Sequence, residues 1–316
     1  MRIACILIYF LLLTGNVFAQ QTPVYSQYFI NGFIINPALA GSDGTVKLGI
    51  SARDYMVGVK ESPKTITASG NGRLLRQKIG VRDGKLTSRS GKIGMGGLVF
   101  NDCNGLVNRT GLQYTYAYHI DFLHSQLSLG LSAALSQTRI DASKLDFNDP
   151  EPLLKEGFGN LAYVPDAALG IFYKKQNYYA GLTVSNLFQR ALHFGEFDYN
   201  YIIYRHYFLL AGTSFDVGAE SYLAPTVLLK ATSNGVYNGE FSVRFSYKDD
   251  IWMAATYRTP QIAALTIGIR AKALFFGYTC EYNFSTIGIY NFLAHEFGLI
   301  YRMGDTERRY RWLVRY

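Results

Sequence analysis

The segment Gln126-Leu-Ser-Leu-Gly-Leu-Ser-Ala-Ala-Leu135 decides the fold, because large apolar residues alternate in it with small or polar ones. Leu127, Leu129, Leu131 and Leu135 share one parity, and serines, glycine and Gln126 share the other. Successive side chains of a strand point to opposite faces. One apolar face and one small, polar face suit a wall between lipid and a lumen. The segment therefore predicts a strand of a transmembrane β-barrel.

Similar alternating segments of roughly ten residues recur along the chain, and we count about fourteen of them. They cover residues 45–53, 64–71, 92–100, 112–120, 126–136, 167–173, 178–185, 207–215, 226–231, 241–247, 251–258, 264–270, 275–284 and 296–302. An even number is required when both ends of an antiparallel barrel lie on the same side of the membrane. The predicted fold is all-β: a transmembrane antiparallel barrel of about fourteen strands with a short N-terminal periplasmic segment.

The composition agrees with a barrel. The chain contains 25 Tyr, 21 Phe and 31 Gly, and 17% of its residues are charged. No later stretch reaches the roughly 18 uncharged apolar residues that a membrane-spanning helix needs. The net charge of +8 comes from dispersed Lys and Arg, so we expect membrane lipid and no nucleic acid as a partner.

The chain begins with Met1 and Arg2, an apolar run and the small-residue exit Val17-Phe18-Ala19, which is typical of a secretory signal peptide. We expect cleavage after Ala19. The predicted divisions are a signal peptide at 1–19, an N-terminal periplasmic or plug segment at 20–44, the barrel at 45–303 and a basic tail at 304–316. A short final strand ending at Tyr316 is the alternative to a tail.

Three connections are long, at 73–91, 139–166 and 186–204. Barrels place short turns in the periplasm and longer loops outside. We therefore assign all three loops to the cell surface, where 73–91 and 186–204 would face cargo.

Several charged residues stand on the inward parity of the predicted strands. They are Lys47, Arg53, Arg244, Arg258, Arg270 and Glu281. A charge that faces lipid near the midplane costs about 2–4 kcal/mol, so these residues should face the lumen or lie at the interfaces. An arginine-lined lumen would favour anions if it were open. Arg–Glu pairs that fill a closed interior are the other interpretation.

No residue pattern predicts a catalytic, metal or cofactor site. Gly94-x-Gly96-Gly97 lies within a strand, whereas a dinucleotide fingerprint lies between a strand and a helix. His193, His206 and His295 lack the close spacing of zinc ligands. We expect a protein that is not an enzyme and has no cofactor.

The segment 25–41 is too apolar to extend freely into water. Its candidate partner-binding residues are Tyr25, Ser26, Gln27, Tyr28, Asn36, Pro37, Ala38 and Gly41. Asn36 precedes a proline and is thereby biased to an extended or turn conformation. Small residues at 38, 40 and 41 permit close backbone approach. We expect the segment to pack under or into the periplasmic mouth, either as a docking face for other proteins or only as a plug.

The same segment carries a resemblance to a known family. Tyr25-Ser-Gln-Tyr28, Asn36-Pro-Ala-Leu-Ala-Gly41, Arg53-Asp-Tyr-Met-Val-Gly58 and Ser62-Pro-Lys-Thr65 resemble the N-terminus of the PorP/SprF family of the type IX secretion system of Bacteroidota. Further family-like pieces follow in order: 116–118, 127–131, 165–166, 257–258 and 295–296. Met56, where the family has Trp, and the extension 305–316 depart from the pattern.

The resemblance implies an outer-membrane barrel with a role in protein secretion and gliding motility. It implies cargo with C-terminal sorting domains, and periplasmic ring and peptidoglycan-associated proteins as partners. A passive porin or solute channel would share every barrel feature and is the alternative function. A soluble secreted β-sandwich is a third interpretation.

Overall fold

The computed structural model describes residues 31–58, 62–74, 78–82, 85–89, 92–105, 107–122, 124–140, 161–189, 191–193, 200–284 and 293–303. The predicted signal peptide and the C-terminal tail lie outside these residues, as do Tyr25, Ser26, Gln27 and Tyr28. Within the described ranges no helix is long and apolar enough to cross a membrane.

Fourteen strands form the barrel, and we number them in chain order. They are β1 Val46–Asp54, β2 Lys64–Leu74, β3 Ile93–Asn104, β4 Val107–Asp121, β5 Ser125–Ile140, β6 Leu161–Lys175, β7 Tyr178–Ser185, β8 His206–Thr213 continued by Phe215–Gly218, β9 Ser221–Thr232, β10 Tyr237–Tyr247, β11 Ile251–Arg258, β12 Ile262–Ala271, β13 Leu274–Asn283 and β14 Ala294–Met303. The two pieces of β8 pair with the same neighbour, β9, on either side of Ser214.

The barrel closes without a crossover. Each strand pairs antiparallel with its neighbours in sequence, and β14 pairs with β1 from Val46↔Met303 to Asp54↔His295. Closure is the arrangement that satisfies every strand edge inside a bilayer. The fourteen-strand antiparallel prediction is confirmed, and β14 closes the barrel without residues 304–316.

The two faces of the wall have opposite chemistry. On β5, Leu129, Leu131 and Leu135 are 42–50% exposed and point outward, whereas Ser128 and Ser132 are buried inside. Inward hydroxyls pair across neighbouring strands, which is one way that sheets are stabilised. The pairs are Ser51–Thr67 at 2.7 Å, Thr115–Ser132 at 2.8 Å, Ser242–Thr256 at 2.8 Å and Thr266–Thr279 at 2.9 Å.

Three neighbouring strands are longer than the alternation predicted. β4, β5 and β6 contain 15, 16 and 15 residues, whereas a tilted strand crosses a bilayer with about 9–11. Their excess lies at the end of the barrel opposite the chain termini, around Arg109 and Arg139. Outward-facing residues are no longer regularly apolar there. The alternation in the sequence therefore predicted only the lipid-covered length of these three strands.

We call the barrel end that carries Val46 and Met303 the terminal end, and the opposite one the far end. Short turns join strands at the terminal end; they lie at 122–124, 176–177, 219–220, 248–250 and 272–273.

The long connections do not all lie at one end. The loops at 139–166 and 186–204 follow β5 and β7 and lie at the far end, but 73–91 follows β2 and lies at the terminal end. The prediction that all three share one side was wrong, because connections alternate between the ends of an antiparallel barrel. The 73–91 connection includes a hairpin, Lys78–Arg82 paired with Lys85–Arg89.

Leu131→Arg on the lipid face of β5 is expected to lower the free energy of unfolding by about 2–4 kcal/mol, because it places a charge near the bilayer midplane. The matched control is Ile251→Arg at the start of β11, beside a turn, where the cost should be about 0–1 kcal/mol. Urea unfolding in lipid vesicles measures both. Equal costs would contradict the predicted depths of these two positions.

Candidate functional site: a plug inside the barrel

Residues 31–45, which precede β1, lie inside the barrel and form its plug. Two short 3-10 turns, Gly32–Ile34 and Pro37–Leu39, fold the segment back on itself. Phe33, Asn36, Ala38 and Ala40 are each at most 2% exposed. The sequence predicted that residues 25–41 pack under or into the mouth of the barrel. The described part of this segment lies within the lumen.

The Asn36-Pro37 pair sets the shape of the plug. Pro37 opens the second turn, where its fixed φ fits and its missing N–H costs no hydrogen bond. The Oδ1 atom of Asn36 caps this turn by accepting from the Ala38 N–H at 2.9 Å. Its Nδ2 donates to the carbonyls of Ile171 on β6 at 3.1 Å and Leu182 on β7 at 3.4 Å. One side chain thus folds the plug and fastens it to the wall.

The wall residues that lie closest to the plug are glycines. A Cβ on Gly94 would overlap the Ala40 carbonyl, one on Gly130 would overlap the backbone of Pro37 and Ala38, and one on Gly170 would overlap Asn36. Gly130 and Gly170 are directly opposite each other in the β5–β6 register. The Gly94-x-Gly96 pair is therefore a packing surface for the plug, as expected of glycines within a strand.

Two polar residues hold the end of the plug. His119 is fully buried on β4, with its Nε2 2.9 Å from the Ala40 carbonyl and its Nδ1 2.7 Å from the Ser128 hydroxyl. Because a carbonyl only accepts, the Nε2 atom carries the proton. Asn71 accepts from the N–H of Gly41 at 3.2 Å. Gly41 has φ +66° and its Cα lies against the backbone of β2, a position that suits glycine alone.

An ion pair joins the plug to the first strand. The Lys47 ammonium lies 2.6 Å from the Asp43 carboxylate. Burial alone would raise the pKa of the Asp43 carboxyl, but the charge and hydrogen bond of Lys47, with the charge of Arg302 and the Thr45 N–H, together lower that pKa. Asp43 is therefore ionised at neutral pH and fixes the entry into β1.

Apolar side chains complete the plug contact. Phe33 and Leu39 belong to a buried cluster with the wall residues Leu98, Ala117, Phe172, Tyr179, Leu210 and Leu228. Burying a side chain as large as Phe or Leu contributes about 1.5–3 kcal/mol. The plug is thus held by burial as well as by hydrogen bonds.

The lumen toward the far end contains a chain of ion pairs. Arg53 contacts Glu281 at 2.5 Å and Glu296 at 2.9 Å, and Arg258 contacts Glu240 at 2.6 Å and Glu281 at 3.5 Å. All five side chains are nearly fully buried. Removing one partner of such a buried pair costs about 3–5 kcal/mol, because a charge is left uncompensated. These charges fill the interior and connect β10, β11, β13, β14 and β1.

The other predicted lumen charges lie closer to the terminal end. Arg244 is buried, with its guanidinium 5.9 Å from the Tyr222 ring centre. Arg270 is half-buried at the end of β12, stacks on Phe275 at 5.4 Å and donates to the Lys272 carbonyl at 3.2 Å. Both stand on the inward parity of their strands.

A cavity of about 180 Å³ lies between the plug and the far end. Ile34, Ile35 and Pro37 of the plug line it, together with wall residues that include Phe208 and Leu228. Arg109, Lys230, Glu240 and Arg258 also line it. Among the residues that the structure describes, no group of three His, Cys, Asp or Glu side chains converges as a metal site would require.

Four of the eight candidate partner-binding residues are thus placed by the structure. Asn36, Pro37, Ala38 and Gly41 are buried in the plug contact, and Tyr25, Ser26, Gln27 and Tyr28 lie outside the described residues. Sequence reasoning missed His119, Asn71 and the glycines at 130 and 170. A polar or glycine residue on the inward parity is the only signal that could have indicated them.

A closed barrel with an apolar outer face and a polypeptide plug defines an integral outer-membrane protein. The chain matches the family model described as type IX secretion system membrane protein PorP/SprF over residues 17–301. The chain belongs to this family, and it is located in the outer membrane. By the short-turn rule we expect the terminal end to face the periplasm and the far end to face the cell surface.

Solved structures show a more distant likeness. A deletion mutant of the monoaromatic hydrocarbon channel TodX is 10% identical with a TM-score of 0.45, over 86% of this chain and 93% of that chain. A mutant of the Rh. blastica porin is 7% identical with a TM-score of 0.36, over 82% and 99%. No functional conclusion follows from either likeness. Among curated proteins, none matches this chain.

Gly130→Ala is expected to destabilise the protein by about 1–3 kcal/mol, because the added methyl overpacks the plug contact. Gly97→Ala on β3 is the matched control, since a Cβ there meets nothing within 4 Å, and it should change stability by less than about 0.5 kcal/mol. Urea unfolding in vesicles compares the two variants. Indistinguishable midpoints would show that the plug does not pack on Gly130.

Proposed function

We propose that this chain is a plugged, non-enzymatic scaffold of the type IX secretion system. In this proposal a signal peptide cleaved after Ala19 exports the chain, and the barrel anchors it in the outer membrane. Its periplasmic end engages ring and peptidoglycan-associated proteins, and its surface end helps export or anchor cargo with C-terminal sorting domains. Family membership supports secretion; the finer roles are the proposal.

The plugged lumen is the observation that supports a scaffold function over a porin function. A passive channel needs a water-filled lumen, whereas here Asn36 bonds two strands, His119 bonds the Ala40 carbonyl and Phe33 is buried among wall residues. Ion pairs and hydroxyl pairs occupy further inward positions. Because these groups fill the lumen, protein partners can bind only at the two ends of the barrel.

The surface end offers the longer wall. Strands β4, β5 and β6 extend past the lipid-covered zone there, and the connections 139–166 and 186–204 leave from the same end. We assign cargo contact to this end. We no longer assign cargo contact to the connection 73–91, because it lies at the opposite end of the barrel.

The periplasmic end has the residues just before the plug as a candidate docking segment. Asn36, Pro37, Ala38 and Gly41 are buried, so in this arrangement they serve the plug contact. Tyr25, Ser26, Gln27 and Tyr28 precede the plug and remain our candidates for contact with the ring. Aromatic residues such as these two tyrosines are enriched at protein interfaces.

Purified protein in planar bilayers should give no steady, large conductance, because the plug and the ion pairs occupy the lumen. Gly130→Ala should raise the frequency of brief openings, and Gly97→Ala should behave as the wild type. A steady porin-sized conductance of the wild-type protein would favour the solute-channel function instead.

The double variant Tyr25→Ala/Tyr28→Ala should reduce recovery of ring proteins in affinity purification from native outer membranes by about tenfold, the effect of losing roughly 1.4 kcal/mol of binding. Gln20→Ala/Gln21→Ala is the control and should leave recovery unchanged. Heat-modifiable migration of both variants checks that the barrel is assembled. Unchanged recovery in the tyrosine variant would place the docking surface elsewhere.

A further inference from the structure

The cavity between the plug and the far end has a large apolar surface. Ile34, Ile35 and Pro37 of the plug line it, and both isoleucines pack against the buried cluster that holds the plug. The wall contributes further apolar side chains, which are Leu98, Phe100, Phe208 and Leu228. The volume is about 180 Å³, and an apolar cavity of about 150 Å³ binds benzene. The cavity therefore has room for an aromatic ring or a short alkyl chain.

Two cations border this apolar surface, each beside an aromatic ring. The Arg109 guanidinium on β4 lies 5.5 Å from the centre of the Phe100 ring on β3. The Lys230 ammonium on β9 lies 5.8 Å from the centre of the Phe208 ring on β8. All four side chains line the cavity, and the two pairs belong to separate parts of the wall. Positive charge thus lies next to apolar surface in two places.

Positive charge exceeds negative charge among the lining residues that the structure describes. Arg109, Lys230 and Arg258 are cationic, and Glu240 supplies the one carboxylate. Arg258 contacts Glu240 at 2.6 Å and Glu281 at 3.5 Å, so these carboxylates lie against Arg258. Buried charges are stable when they are paired. A ligand with one negative charge would therefore fit beside Arg109 or Lys230.

A buried hydrogen-bond donor accompanies this charge. Asn238 on β10 lines the cavity directly opposite Lys230 in the strand register, and its Nδ2 atom has no hydrogen-bond partner among the described residues. A buried donor without a partner is costly. Arg109 donates to the Ser136 hydroxyl at 3.3 Å, which uses one of the five N–H groups of its guanidinium. The Oε1 atom of Glu240 also lacks a described partner and would repel a second carboxylate, which directs an anion toward Lys230 and Asn238.

We propose that this cavity binds a small organic anion with a carboxylate and an apolar body about the size of one ring. The carboxylate meets Lys230 and Asn238, Arg109 adds positive charge, and the apolar body contacts Ile34 and Ile35 of the plug. Small-molecule sites typically combine an apolar lining with a few convergent polar groups. This site is independent of the scaffold function, because its contacts require neither ring proteins nor cargo.

Phenylacetate is the probe, and isothermal titration calorimetry measures its binding to the full-length protein in phosphatidylcholine nanodiscs. Phenylacetamide has the same ring without the charge, and acetate has the charge without the ring. We expect phenylacetate to bind at least tenfold more tightly than either compound, since each lacks one of the two kinds of contact. Because the anion contacts both plug and wall, phenylacetate should also raise the urea midpoint of unfolding.

Three variants test the location of the site. Lys230→Gln and Asn238→Leu should each weaken phenylacetate binding about tenfold or more, the effect of losing a hydrogen bond to a charged group. Ala168→Phe, at a lining position, should abolish binding without a change of charge, because it fills the cavity. Lys64→Gln is the matched control: Lys64 is exposed at the same end of the barrel, contacts Asp54 at 3.3 Å and should leave binding unchanged.

Heat-modifiable migration checks that every variant forms the barrel. Equal binding of phenylacetate and phenylacetamide, or an equal loss in Lys64→Gln, would overturn the anion site. Equal binding of acetate would overturn the apolar part of the ligand. No binding to the wild type, or full binding to Ala168→Phe, would overturn the cavity as the site. None of these results bears on the scaffold function, which the recovery of ring proteins tests separately.

Discussion

Backbone N–H and C=O groups have no water to bind inside a bilayer, and this constraint governs the whole molecule. It requires the sheet to close, and the pairing of Val46 with Met303 completes the closure. Closure makes one face of every strand internal. Since the internal parity carries Ser, Thr, Arg and Glu, the barrel encloses polar groups that must find partners within the lumen.

These partners come from two sources. Toward the far end, Arg53 and Arg258 alternate with Glu240, Glu281 and Glu296, so that charges on five strands pair with one another. Toward the terminal end the chain supplies its own N-terminal segment, which packs against the backbone of wall strands at Gly94, Gly130 and Gly170. The two halves of the lumen are therefore filled by different means, and the small cavity lies between them.

Much of the fold could be predicted, because lipid selects one parity of each strand. The strand number and the antiparallel order follow from this pattern alone. The overhang of β4, β5 and β6 could not, since no lipid selects residues beyond the bilayer. The side of the 73–91 connection could have been predicted by counting strands, because a connection after an even-numbered strand returns to the terminal end. Loop length was a weaker guide to the side of a connection than the strand count, and it gave the wrong side for 73–91.

The sequence by itself determined the membrane, the barrel, the inward charges and the family, since each depends on local periodicity or on a motif read along the chain. Only the tertiary structure decided what the motif does. Asn36 meets Ile171 and Leu182, and Ala40 meets His119, across separations of 135, 146 and 79 residues. Such contacts arise when closure brings distant strands together, and no local pattern encodes them.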